Sequence, residues 1–230
     1  MDFQGKHQAF IAANFNLRLK EEYGKEHGNE IFVHIAHLYA EERGHRMAQR
    51  ALRDGRKLDA HSYEQYRELL AGHTIDFASM CPDFIMHVIK CEWADTYEEL
   101  GLEEEGFLYC SEVDTSLNRG FNPAMPYEMT PRAEGFRCVH HIENANFVPG
   151  TDLSPIPGTA NTLEYHCGNM YWDFTKTIEA ICGAKGVKIA AKVLADFEEK
   201  YGTEMADRIV LYRNLDYTVC NGGIVEEFKG

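Results

Sequence analysis

Between Cys91 and His141 the chain collects the side chains that most readily do chemistry. They are three thiols (Cys91, Cys110, Cys138), the acids Asp95, Glu112 and Asp114 next to or between them, and the pair His140 and His141. An imidazole beside a thiol can take its proton and leave a thiolate, the form that attacks carbon. Cys138 and His140 are two residues apart, so on a strand both point to one side. Asp114 follows Cys110 by four residues, one turn away if that segment is helical. There it can orient a histidine or act as a general base. Taken singly, each cysteine is most often a small buried hydrophobe. Their company is what marks them as candidates for catalysis.

The same residues admit a rival use. Cys91, Cys110, Cys138 and His140 make up Cys₃His, the ligand set of many structural zinc sites. Their spacing matches no standard zinc module, because such modules carry a tight Cys pair and this chain has no CxxC. The expectation is therefore no cofactor, with a bound metal as the lesser alternative. Asp95 and Glu112 read as solvated or helix-capping acids.

The elements that must hold these groups follow from periodicity. Residues 7–23 read as a helix with Phe10, Ile11, Phe15, Leu17 and Leu19 on its apolar face and Gly24 as its stop. Residues 26–53 carry Ile31, Ile35, Leu38, Tyr39, Met47, Ala51 and Leu52 at threes and fours, the longest helical pattern. Arg50 and Arg53 suit its negative end. His34, His37, Glu41 and His45 also lie there; they read as a polar flank rather than a metal or proton site. A short helix is expected at 60–71, with Tyr63, Tyr66, Leu69 and Leu70. FIMHVIKC (84–91) is short, apolar and β-branched, hence a strand. A helix is expected at 92–101, stopped by Gly101, while 107–117 fits either a short helix or a strand. Residues 125–130 and 136–143 pair as a hairpin across Pro131 and Gly135. Alternation in the second of these puts Phe136, Cys138, His140 and Ile142 on one face. Three antiparallel strands (84–91, 125–130, 136–143) flanked by helices give an α+β fold.

Residues 147–160, with three prolines and two glycines, are the one linker-like stretch. They divide residues 1–146, helices plus the α+β core, from a helical extension at 147–230 packed on that core as one globular unit. The extension opens with a stripe of Leu163, Cys167, Met170, Tyr171, Phe174, Ile178 and Ile181. His166 and Cys167 read as packing residues there. Two more helices are expected near 186–201 and 203–214. EEYGKE (21–26) and EKYGTE (199–204) echo each other, as two similar helix–turn–helix joints would.

The chain has 230 residues and a formal charge of −14. That charge repels nucleic acid and anionic membranes, so neither is expected as a partner. The start, MDFQGKHQAF, lacks the basic-then-apolar pattern of a signal peptide, and no window approaches the ~20 apolar residues of a membrane span. The expected compartment is the cytoplasm, where the seven cysteines stay reduced. The aromatic helix with Tyr165, Tyr171, Trp172 and Phe174 reads as a wall of the small-molecule pocket, with a homodimer contact as the alternative.

From Val88 to Ile142 the chain resembles the family named for L-2-amino-thiazoline-4-carboxylic acid hydrolase. The resemblance lies in Cys91 near a strand end, a helix ending in Leu100 and Gly101, and Cys110 with Asp114 four residues on. It continues through the turn at Gly120 and Pro123 and the Gly135-x-x-Cys138 entry to the last strand. The two helices before residue 55 fit the family's helical N-terminal part. The core is also similar, more distantly, to 4VR-type small-molecule-binding domains. His140 and His141 depart from the family pattern, which more often has aromatic or apolar residues there, and 147–230 is longer than the family core requires.

The resemblance implies hydrolysis of the C=N unit of a thiazoline ring. Cys138 or Cys110 would be the nucleophile, with Cys91 beside them, His140 the base and Asp114 the orienting acid. Arg119, Arg132 and Arg137 would serve a substrate carboxylate, and Trp93, Asn122 and Trp172 would line the substrate. The alternatives are a non-catalytic small-molecule-binding or sensing domain, and a Cys/His metal-binding protein.

Overall fold

The computed structural model describes residues 1–69 and 72–219. Among them are eight helices and four strands, an α+β fold. In chain order they are α1 (Gly5–Tyr23), α2 (Lys25–Arg53), α3 (Ala60–Gln65), β1 (His73–Ser79), β2 (Phe84–Cys91), α4 (Glu92–Leu100), α5 (Glu103–Phe121), β3 (Tyr127–Pro131), β4 (Cys138–Ile142), α6 (Leu163–Cys182), α7 (Ala184–Tyr201) and α8 (Thr203–Val210). No described helix is long and apolar enough to cross a membrane.

Three differences from the sequence reading stand out. The sheet has a fourth strand, β1, which the residue pattern does not announce. The ambiguous 107–117 stretch lies inside a single 19-residue helix, α5. The third helix stops at Gln65, six residues early; Leu70, which it was expected to carry, lies outside the described residues.

The chain forms two compact units. The first comprises Met1–Tyr39, Trp93–Tyr109 and Thr162–Tyr217. It is a helical bundle with a core of interlocking aromatic rings. Phe15 of α1 meets Phe174 of α6 edge-on at 5.2 Å, and Phe10 meets Phe197 of α7 at 5.9 Å. Arg18 adds a two-pronged pair to Asp196, at 2.8 and 2.7 Å. The sequence echo has a structural cause. Gly24 and Gly202 close α1 and α7 with nearly the same backbone, φ 81 and ψ 165 against φ 92 and ψ 157. Both conformations favour glycine, so two alike joints carry alike sequences.

The second unit takes in Ala40–Glu92 and Cys110–Asn161. Its sheet has the order β1-β2-β4-β3, with every pair antiparallel. Met86 of β2 sits opposite His140, as does Met129 of β3, so β4 is an inner strand and its side chains are held from both sides. Phe84, Met86 and Val88 are buried, and their register partners on β4 are Ile142, His140 and Cys138. Directly opposed residues share a face, so Cys138 and His140 stand on the buried side of the sheet.

Helices α2 and α5 cross at van der Waals contact because two glycines meet there. A Cβ on Gly44 would lie 2.1 Å from the Leu117 carbonyl oxygen, and one on Gly120 would lie 2.1 Å from the Glu41 oxygen. Backbone fills the space a side chain would need. The crossing fixes the depth at which α5 presents Cys110 and Asp114, a single turn apart on that helix.

Candidate active site

The site is built on β4. Cys138 and His140 occupy alternate positions, so both side chains leave the same face of the strand. The Cys138 sulfur lies 3.3 Å from His140 Nε2. The other ring nitrogen, Nδ1, is 2.6 Å from the hydroxyl of Tyr127 on β3. Tyr127 is one pair further along the same hairpin face, since it sits opposite Ile142. The result is a line from Tyr127 through His140 to Cys138, with both imidazole nitrogens engaged and the ring orientation set.

Tyr127 is held in turn by rings. Tyr63 of α3 packs against it with centroids 6.0 Å apart, and Tyr63 also meets Phe121 of α5 at 5.4 Å. Asp59 caps α3 by accepting from the Ser62 amide at 3.0 Å, which starts the helix where Tyr63 can reach inward. Neither tyrosine is picked out as a site residue by the sequence reading. The usable signal is β-alternation in 125–130, which puts Tyr127 on the same face as the Cys138–His140 pair.

Burial holds the two thiols Cys110 and Cys138 and the Tyr127 phenol neutral. Burial pushes the Cys110 thiol well above its ordinary value, and the nearby Cys91, Asp114 and Cys138 push the same way, against a smaller pull from Arg132. Burial likewise raises the Cys138 thiol, followed by Asp114 and Cys91. Tyr127 is raised by burial and then by Asp114 and Tyr63. Cys91, Cys110, Cys138 and Asp114 thus share one electrostatic neighbourhood, as the sequence grouped them. A resting thiolate is disfavoured in it, so any nucleophile must lose its proton to a neighbour at the moment of attack. The neighbour in contact with Cys138 is His140.

His141 takes no part in this line. It alternates to the other face of β4 and lies 3.2 Å from Asp83. Asp83 also accepts from the Asn144 amide, and these two contacts lower its carboxyl. Arg119 is exposed and 3.4 Å from Glu41. Arg132, at positive φ, tips the hairpin. The Arg137 amide donates to the Val88 carbonyl. Asn122 is engaged by backbone: its side-chain amide donates to the Leu58 carbonyl in the α2–α3 loop at 2.6 Å, and its oxygen accepts from the Ala124 amide. Trp93 and Trp172 belong to the first unit. Trp93 is buried there, and the Trp172 ring nitrogen donates to the Ile209 carbonyl at 2.8 Å. His34 and His45 are exposed. Among the described residues, no three His, Cys, Asp or Glu side chains converge as metal ligands would.

A family model described as L-2-amino-thiazoline-4-carboxylic acid hydrolase matches residues 3–139. The match takes in the N-terminal helices, Cys91, Cys110, Asp114 and Cys138, and stops one residue short of His140. No curated protein and no solved structure matches this chain.

Proposed function

The chain belongs to the L-2-amino-thiazoline-4-carboxylic acid hydrolase family, and from that premise we propose that it hydrolyses the ring of an aminothiazoline carboxylate or a closely similar cyclic amidine. The observation that carries the reading is the 3.3 Å contact between Cys138 and His140, with the far side of the imidazole fixed by Tyr127.

The geometry supports the following chemistry. Cys138 is the nucleophile and His140 the base. With the thiol donating to Nε2, the ring proton sits on Nδ1 and is donated to the Tyr127 oxygen. As the sulfur attacks the ring carbon between nitrogen and sulfur, its proton passes to Nε2. The ring nitrogen gains a proton and the carbon–sulfur bond of the ring breaks, leaving the substrate's own thiol free. The substrate is then joined through that carbon to Cys138. Water adds to the carbon, gives a proton to His140, and expels the Cys138 sulfur. The net change is one water gained and one ring opened, and the product is an N-carbamoyl cysteine. Asp114, whose charge reaches Cys138 and Tyr127, supports a positive imidazolium between them. Cys110 and Cys91 complete the apolar wall and keep water from the thiol.

The test is incubation of purified protein with aminothiazoline, hydantoin and related cyclic ureide acids, read by mass spectrometry. A gain of one water on a single compound, with a new free thiol where the ring holds sulfur, supports the reading. No conversion of any compound overturns it.

A second reading has one observation in its favour. Burial raises both Cys110 and Cys138, and a deep neutral thiol cluster also suits a pocket that binds a small molecule without turning it over. Saturable binding with no product distinguishes that case.

A further inference from the structure

The inner face of α2 carries three arginines where apolar residues are usual. Arg43, Arg46 and Arg50 recur at spacings of three and four and are all buried, at 5%, 0% and 1% exposure. All three turn towards one carboxylate, Glu68, which is itself 1% exposed. Arg46 grips it with the edge of its guanidinium: Nε donates to one oxygen and Nη2 to the other, each at 3.0 Å. Arg50 reaches the same carboxylate with Nη1 at 2.5 Å. Arg43 Nε lies 3.8 Å from it.

Arg50 therefore uses the tip of its fork and leaves the edge. Its Nε and Nη2 are buried and have no hydrogen-bond partner among the described residues. This is the same pair of nitrogens with which Arg46, one turn away, holds both oxygens of Glu68. Arg46 also donates to Glu42 with Nη1 at 2.9 Å, whereas buried guanidinium N–H groups such as Nε and Nη2 of Arg50 are costly to leave unmatched. The planar Nε/Nη2 edge fits a carboxylate's two oxygens better than it fits a spherical anion or a single water.

We propose that the Nε/Nη2 edge of Arg50 is a binding site for the carboxylate of a small organic acid, held beside the Arg46–Glu68 pair. The site uses none of the residues of the Cys138–His140 line and its occupancy does not depend on what that line does. Arg119, Arg132 and Arg137, the cations nearest the cysteines in sequence, are less suited. Arg119 is exposed and already beside Glu41, whereas Arg50 offers a charge whose strength is not diluted by water.

The acid has two sources, the hydrolase substrate or a separate metabolite, and the experiment separates them. Wild-type protein labelled with ¹⁵N-arginine is titrated with acetate, with L-2-aminothiazoline-4-carboxylate and with 2-aminothiazoline, against chloride at matched ionic strength. The Arg50 Nε–H signal is assigned by its absence from Arg50→Lys. The proposal expects that signal to shift and saturate with acetate but not with chloride. In Arg50→Lys, which keeps the charge and loses the fork, carboxylate affinity falls roughly tenfold or more. Thermal stabilisation by acetate is lost in parallel, and Arg119→Gln keeps it. If the ring acid competes with acetate and 2-aminothiazoline does not, the substrate's carboxylate is the occupant. If acetate binds and the ring acid does not compete, the occupant is a separate acid. An Arg50 signal that no carboxylate moves in the wild-type protein overturns the proposal, whether or not any ring compound is hydrolysed. So does full carboxylate affinity in a folded Arg50→Lys.

Discussion

His140 stands between Cys138 and Tyr127, with its Nε2 3.3 Å from the thiol and its Nδ1 2.6 Å from the phenol. The two contacts use both nitrogens of one ring, so the imidazole cannot turn without losing one of them. In the proposed reaction this aims the base at the thiol before any substrate arrives, which is the preorganisation a proton transfer needs. Replacing Tyr127 by Phe removes the hydroxyl and leaves the ring. The expected result is a turnover lower by about one order of magnitude with substrate affinity nearly unchanged, against about 10²–10⁴-fold for loss of the base in His140→Ala. Steady-state rates of the two variants check the order of the effects.

The alkaline limb of stability carries a sign. Burial raises the Cys110 and Cys138 thiols above the ordinary value of 9.0. The unfolded chain releases these protons at the ordinary value, while the folded chain keeps them to higher pH. Stability from the neutral thiols is thus complete below about pH 9 and falls as pH rises beyond it. Urea midpoints measured from pH 7 to 10 should decline above 9, and the decline should be shallower in Cys110→Ala. The same cause makes Cys138 slow to alkylate at neutral pH.

On the acid side the sign reverses. His7, at the start of α1, is packed among Phe3, Phe197 and Tyr201, and burial lowers its pKa from 6.5 to about 4. The folded chain resists protonation there, so the contribution is present above pH 6.5 and is lost as pH falls towards 4. A His7→Phe variant should lose less stability between pH 6.5 and 4 than the wild type, read by thermal melts across that window.

Gly44 and Gly120 leave no room for a side chain where α2 crosses α5. Gly44→Ala must push the two helices apart, and the expected cost is about 3 kcal/mol or more. Gly55, at φ 72 with nothing within 4 Å of the place a Cβ would occupy, is the contrasting site: there Ala strains the backbone only, at about 1 kcal/mol. Chemical denaturation of both variants checks the ranking.

Glu68 sits among buried guanidiniums with no exposed edge. Glu68→Gln keeps the shape and removes the charge, leaving Arg46 and Arg50 facing a neutral amide. Breaking a buried pair from one side costs about 3–5 kcal/mol, so a denaturation midpoint close to wild type would contradict the pairing described.

Parts of this fold and site are legible in the residues. FIMHVIKC announces β2 to the residue, because a short β-branched apolar run bounded by Pro82 has few other uses. The Cys138–His140 alternation places both on one face, since strand period is fixed. Strand β1 is not legible: HTIDFAS is a largely exposed edge strand, with Phe77 half exposed, so burial writes no clear apolar pattern into it. The role of Tyr127 is hidden because its hydroxyl acts across the hairpin, through a partner thirteen residues away. Arg50 and Arg53 read as a helix end suited to positive charge, which is the common reason for such residues. The more telling signal is the spacing of Arg43, Arg46 and Arg50, which is that of a buried face.

The most direct test of the central claim follows Cys138 itself through one turnover. Wild-type protein in excess over L-2-aminothiazoline-4-carboxylate is quenched at intervals, and intact protein and small molecules are weighed together. The account predicts a transient adduct on the peptide containing Cys138, the full mass of the substrate heavier, which decays into ring-opened product one water heavier than substrate. Neither adduct nor product should form in Cys138→Ala. Product formed by Cys138→Ala at the wild-type rate would contradict the account, and would leave water, not the thiol, as the group that opens the ring.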